Sequence, residues 1–211
     1  MLKYVTLYAF IVIMANCNKY DDTQAAANLE VPPYTQTGAN TFGCFINGKV
    51  WANFGETFVK PIEDIFGGGS LQPNLVHGSF NFDQNPNDSV FYVGGTYTLS
   101  KKGTVLSQTN LTLAVPKGNS FLGTHLLTDS VMAGARYDDI NYNANNNFGT
   151  YRSLPRNPFI VIIKKDSVTA SGRHIVSGTF SGMIYRLPTR LDPSIRIDSM
   201  RVTDGVFDTG F

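Results

Sequence analysis

Charge is scarce in this chain. Only 16% of its 211 residues are Asp, Glu, Lys or Arg, against about a quarter in an ordinary soluble domain, which excludes a disordered polyelectrolyte and a charge-laced coiled coil. Seventeen basic and 16 acidic residues leave a net charge of +1, so no field of one sign is present to gather nucleic acid. Glutamate stops at Glu30, Glu56 and Glu63, histidine at His77, His125 and His174, and cysteine at Cys17 and Cys44. Convergent acid–base or metal-binding chemistry has little to draw on. What is abundant is 20 Gly, 10 Pro and 12% aromatic residues in a chain that is 42% hydrophobic. That is a folded, turn-rich chain of one domain.

The first residues have the form of an export signal, with Lys3, then an apolar stretch from Tyr4 to Ala15. As a helix, such a stretch would rise about 18 Å against a hydrocarbon core of about 30 Å, which disfavours a span. Met14-Ala15-Asn16-Cys17 resembles a bacterial lipobox, although Asn16 departs from the usual Gly, Ala or Ser. Cys17 is then the lipidated N-terminus, its thiol being the sulfur nucleophile that accepts the diacylglycerol. Acylation of Cys17 leaves Cys44, in an apolar alternating segment, without a disulfide partner and with the character of a small core residue. Asn18-Lys19-Tyr20-Asp21-Asp22 is similar to the Lys-plus-acidic surface-export signal of Bacteroidetes lipoproteins. The division expected is a signal peptide over 1–16, a flexible tether over 17–37 and a single antiparallel β-domain over 38–211.

Alternation sets the fold class. From Thr41 onward, short segments rich in Val, Ile, Thr, Phe and Tyr are broken by Gly, Asn, Asp and Pro. Asn47-Gly48 supplies both positive-φ residues of a type I′ turn, which pairs Ile46 with Lys49, Phe45 with Val50 and Cys44 with Trp51. Further strands are expected over 76–82, 90–93, 96–99 and 110–115, and three neighbouring ones over 158–164, 174–186 and 195–207. The expected fold is an all-β antiparallel sandwich, with a β-barrel as the alternative. One short helix fits over 58–66 if Pro61 falls in its first turn. The stretch 133–157 breaks the rhythm and is expected to be a long loop.

Three phrases carry a family resemblance: Thr41-Phe-Gly-Cys-Phe-Ile-Asn-Gly-Lys-Val-Trp51, Ile175-Val-Ser-Gly-Thr-Phe180 and Val202-Thr-Asp-Gly-Val-Phe-Asp208. With the lipobox, they resemble the uncharacterised lipoprotein family of Bacteroidetes with a DUF6252-like domain of unknown function. The resemblance implies an exported all-β lipoprotein and carries no catalytic or binding residues with it. Physically the phrases are scaffold: Gly178 lets a strand pass a bulky neighbour, and Thr203-Asp204-Gly205 is a turn or bulge.

No H-E-x-x-H, G-x-S-x-G, Walker or Rossmann pattern occurs. The three histidines are too dispersed to indicate a metal site. Asp83 to Asp88 imitates the opening of a calcium loop but has Asp88 where Gly is needed and Gly94 where Glu is needed, so a hairpin loop is expected there. No metal and no cofactor is expected. Asp-Ser-apolar tripeptides place Ser89, Ser130, Ser167 and Ser199 as candidate O-glycosylation sites, although Asp-Ser is also turn chemistry. Tyr137, Tyr142 and Tyr151, with Asn and Asp between them, have the composition of a sugar-stacking surface. The expected role is that of a non-catalytic cell-envelope lipoprotein on the bacterial outer membrane, held through Cys17, with an envelope protein or glycan as partner. A surface glycan-binding module and an enzyme of unrecognised type are the alternatives.

Overall fold

Asn47 and Gly48 adopt φ of 50° and 77°, the left-handed pair that a two-residue hairpin needs to match strand twist. They join β1 (Thr41–Ile46) to β2 (Lys49–Ala52). The register is the expected one, with Ile46 opposite Lys49, Phe45 opposite Val50 and Cys44 opposite Trp51. The computed structural model describes residues 23–59, 70–81, 89–101, 104–118, 120–128, 133–140, 148–187 and 197–211.

After one helical turn, α1 (Thr23–Ala27), the described chain is strand after strand. A small separate sheet pairs β3 (Glu56–Val59) with β4 (Ser70–Pro73). Phe58 and Val59, where the expected helix over 58–66 would start, lie in this strand, and residues 60–66 lie outside the described residues. The β-branched and aromatic run Thr57-Phe58-Val59 pairs with Gln72, Leu71 and Ser70, as its strand propensity favours. Next come β5 (His77–Asn81), β6 (Val90–Lys101) and β7 (Thr104–Pro116). The expected segments 90–93 and 96–99 are one strand, because β7 pairs with β6 along its whole length.

β8 (Gly123–Leu127) is followed by β9 (Gly134–Ile140) and β10 (Phe148–Arg152), which pair with each other. The stretch 133–157, expected as a loop, is thus largely a hairpin. Ala135 and Tyr137 point into the core, Arg136 is exposed and Asp138 is part-exposed, a half-buried alternation that the Asn-rich connection masks in the sequence. The chain ends in the three neighbouring strands expected, β11 (Phe159–Val168), β12 (His174–Arg186) and β13 (Asp198–Gly210).

The main sheet has the order β2-β1-β13-β12-β10-β9-β7-β6-β5, antiparallel throughout. β12 has a forked side: its C-terminal end meets β10, while its N-terminal part pairs with β11, which carries β8. The sheet curls into a half-barrel, on the barrel-like side of the two forms expected. Its inside is the core. Phe42, Phe91, Phe159, Phe207, Leu111 and Leu113 are among its fully buried side chains. Phe42 stacks on Phe180 at 5.0 Å and meets Trp51 edge-on at 5.8 Å. Trp51 Nε1 donates to Thr109 Oγ1 at 2.8 Å, which ties β2 to β7 across the interior.

A seam draws the curl in. The Phe54 amide donates to the Thr96 carbonyl at 3.0 Å, and the Thr98 amide donates back to the Phe54 carbonyl at 2.9 Å. Asn74 Nδ2 donates to the Phe54 carbonyl and to Thr98 Oγ1, at 2.6 and 2.9 Å. Replacing Asn74 with alanine strips these bonds and leaves the Phe54 carbonyl and Thr98 hydroxyl short of a donor, at a cost of about 1–3 kcal/mol. Urea unfolding should show a lower midpoint with an unchanged slope. A midpoint equal to that of the wild type would mean that the seam does not restrain the curl.

Candidate functional site: the outer face and its strap

The outer face of β11, β12 and β13 is built of rungs that run across the strands. One rung runs Lys165–Ser177–Asp208, and the next runs Ile162–Thr179–Val206. The first rung is covered by the chain's own residues 34–39, and Pro32 sits against Gly43, the β1 neighbour of Val206 at the end of the second, whose Ile162–Thr179–Val206 part is open.

The cover is a strap pinned by a carboxylate. Asp208 is 0% exposed. Its Oδ2 accepts from Thr35 Oγ1 at 2.5 Å and from the amides of Thr37, Gly38 and Ala39 at 2.9, 3.0 and 3.1 Å, and Oδ1 accepts from the Gly38 amide at 2.9 Å. Successive backbone N–H groups aimed at one anion form a nest. Burial alone would raise the Asp208 pKa, but the bonds from Thr35 and from the Ala39, Thr37 and Gly38 amides outweigh it and hold the carboxyl below the usual carboxylate range. Around this pin, Tyr34 OH lies 3.3 Å from Ser177 Oγ, Lys165 Nζ donates to the Gln36 carbonyl at 2.6 Å, and Lys164 Nζ stands 4.8 Å from the centre of the Tyr34 ring. Residues Tyr34 to Thr37, placed at the end of the flexible tether by sequence, are thus fixed to the sheet.

Beside the strap lies a groove of about 500 Å³. It is lined by Ile160 and Ile162 of β11, Thr179 and Ser181 of β12, and Thr203 to Val206 of β13. Both isoleucines are exposed, at 39% and 36%, and Leu126 of β8, opposite Ile160, is exposed at 58%. Three register shifts converge here, between Gly43 and Phe45, between Phe180 and Gly182, and between Ile163 and Lys165. Within the resulting bulge Asp204 has φ of 51°, a conformation uncommon for a residue other than glycine. The sequence marked Thr203-Asp204-Gly205 as a turn or bulge but not as the wall of a groove. Only the rung-wise adjacency of three strands makes one.

The residues singled out by sequence are dispersed. Tyr137 and Tyr151 are core residues at 7% and 6% exposure, edge to face at 6.0 Å. Burial is the main cause that pushes both phenols up to about 12, with Asp198 adding to it at Tyr151. Tyr151 OH donates to Asp198 Oδ2 at 2.8 Å, which ties β10 to β13. Neither ring presents a face to a sugar, because the alternation that makes β9 and β10 strands turns them inward; Tyr142 lies outside the described residues. Ser89 is 1% exposed, so the folded chain does not offer it for glycosylation. Ser167 is half-buried in β11, Ser199 is exposed in β13, and Ser130 lies outside the described residues. The signal peptide, Cys17, the 18–22 stretch and the calcium-like residues 83–88 also lie outside them.

His125 Nε2 lies 2.8 Å from the Phe121 carbonyl, His174 pairs with Asp166, and His77 is exposed on β5. Among the described residues no group of three His, Cys, Asp or Glu side chains could hold a metal ion. Cys44 is fully buried, and burial raises its thiol to about 12. A thiol reagent at pH 8 should therefore label Cys44 only in denaturant. Rapid labelling of the folded chain would contradict this placement.

No protein-family model matches the chain, and neither a curated protein nor a solved structure was found to match it.

Proposed function

We propose that this chain is a non-catalytic lipoprotein of the bacterial cell envelope, a structural or binding component held at the outer membrane through a lipid on Cys17. Membership of the Bacteroidetes lipoprotein family is part of the same reading, supported by the lipobox and the three phrases. The observation that carries it is the strap. Any pull from an anchor at Cys17 would enter the sheet through residues 35–39, which are fixed to the buried Asp208 of β13. The uncovered half of the same face supplies a surface for a partner.

The test is the intact mass and detergent partitioning of the protein from its native membrane, beside a Cys17→Ala variant. A mature chain starting at an acylated Cys17, lost in the variant, is the expected result. An unlipidated, freely soluble product would overturn the anchor.

A further inference from the structure

We propose that the groove beside the strap is a docking site for a peptide segment of a partner protein, one that presents a basic side chain next to an apolar one. This names the partner for the binding role proposed above and rests on that reading only for where the site is displayed.

Two observations select the occupant. The first is continuity: the rung immediately below the groove is already covered by a peptide segment, the chain's own residues 34–39, which crosses it and bends at Gln36 and Thr37 around Asp208. The face therefore accepts a peptide laid across three strands, and the next rung, Ile162–Thr179–Val206, continues it without one. The second is charge. Asp204 is the single charged side chain of the lining, and it is exposed. It stands among the hydroxyls of Thr179, Ser181 and Thr203, with Ile160 and Ile162 on the opposite wall. A lysine or arginine meets the carboxylate, its neighbouring apolar side chain covers the isoleucines, and backbone groups meet the hydroxyls. No aromatic ring faces out of the groove wall to stack on a sugar, since the one ring in the lining, Phe180, is 3% exposed and stacks on Phe42. The bulge explains how the carboxylate comes to be there, because the left-handed turn at Asp204 re-aims a side chain that a regular strand would place in alternation.

The probe is a random dodecapeptide display library panned against the full mature chain. Ile162→Lys and Asp204→Asn serve as counter-targets, each first checked by its thermal melt. Asparagine tolerates the left-handed conformation, so Asp204→Asn removes the charge and keeps the backbone. Enriched sequences should carry Lys or Arg beside an apolar residue. Their affinity should fall about tenfold against Ile162→Lys and about fivefold against Asp204→Asn, with the second loss shrinking in high salt. The proposal is overturned if bound peptides are indifferent to both variants or are enriched in acidic residues. It is equally overturned if the wild type self-associates and Ile162→Lys abolishes this, because a second copy is then the occupant. Peptide binding by a chain that proves unlipidated at Cys17 would leave the groove standing and the anchor refuted.

Discussion

Replacing Asp208 with alanine should cost about 3 kcal/mol, since a buried carboxylate that accepts from a hydroxyl and three backbone amides leaves those donors unpaired when it is removed. For a domain of this size the thermal midpoint should fall by roughly 6–12 °C. The signature separating this from ordinary core damage is local. Hydrogen exchange at the Thr37, Gly38 and Ala39 amides should accelerate more than exchange in β7 or β12, because the strap comes away first. Equal acceleration everywhere would mean that the carboxylate supports the whole sheet without pinning the strap. The same group sets an acid limit. Its folded pKa lies below its unfolded value of about 3.9, so its stabilisation is fully present above that value and is lost as pH falls through the folded pKa. The wild type should lose midpoint steeply below about pH 4 while the alanine variant changes less.

The second large effect is at Gly178. A Cβ there would drive into the Ile162 carbonyl oxygen and stand 2.8 Å from the Phe207 ring. Neither neighbour can yield, one being backbone of the adjacent strand and the other a fully buried core ring. Gly178→Ala should cost about 3 kcal/mol or more and sharply reduce soluble yield. A double variant sorts the two contacts. Phe207→Leu relieves the ring but not the carbonyl, so Gly178→Ala with Phe207→Leu should remain as unstable as either change alone or more so. Recovery in the double variant would show that the ring alone imposes the glycine.

These two residues mark what the sequence conveys and what it withholds. Gly178 was legible because a glycine weakens a strand, so its place inside a strongly alternating segment points to a close approach by a neighbour. The Asn47-Gly48 hairpin was legible for a similar reason: a two-residue loop leaves one register, and Trp51 duly sits opposite Cys44. Asp208 was not, since an acidic residue after Phe207 reads as a solvated strand end. Its partners lie about 170 positions away in a segment of Pro, Thr and Gly with no period of its own. The inward turn of Tyr137 and Tyr151 was hidden for a different reason. Both flank the Asn-rich connection, whose composition outweighed the short alternation on either side. The groove falls in the same class, because Ile162, Thr179 and Val206 share a rung only through the strand pairing.

The pairing of β1 with β13, which sets Thr41 opposite Asp208, bears on timing. β1 has its closing neighbour in a strand far later in the chain, so the sheet between them cannot close until β13 has been made. Loop closure over such a span is slow, and the leading hairpin waits with one edge bare. Until β13 arrives, the bare β1 edge is a template for pairing with other chains and needs shelter.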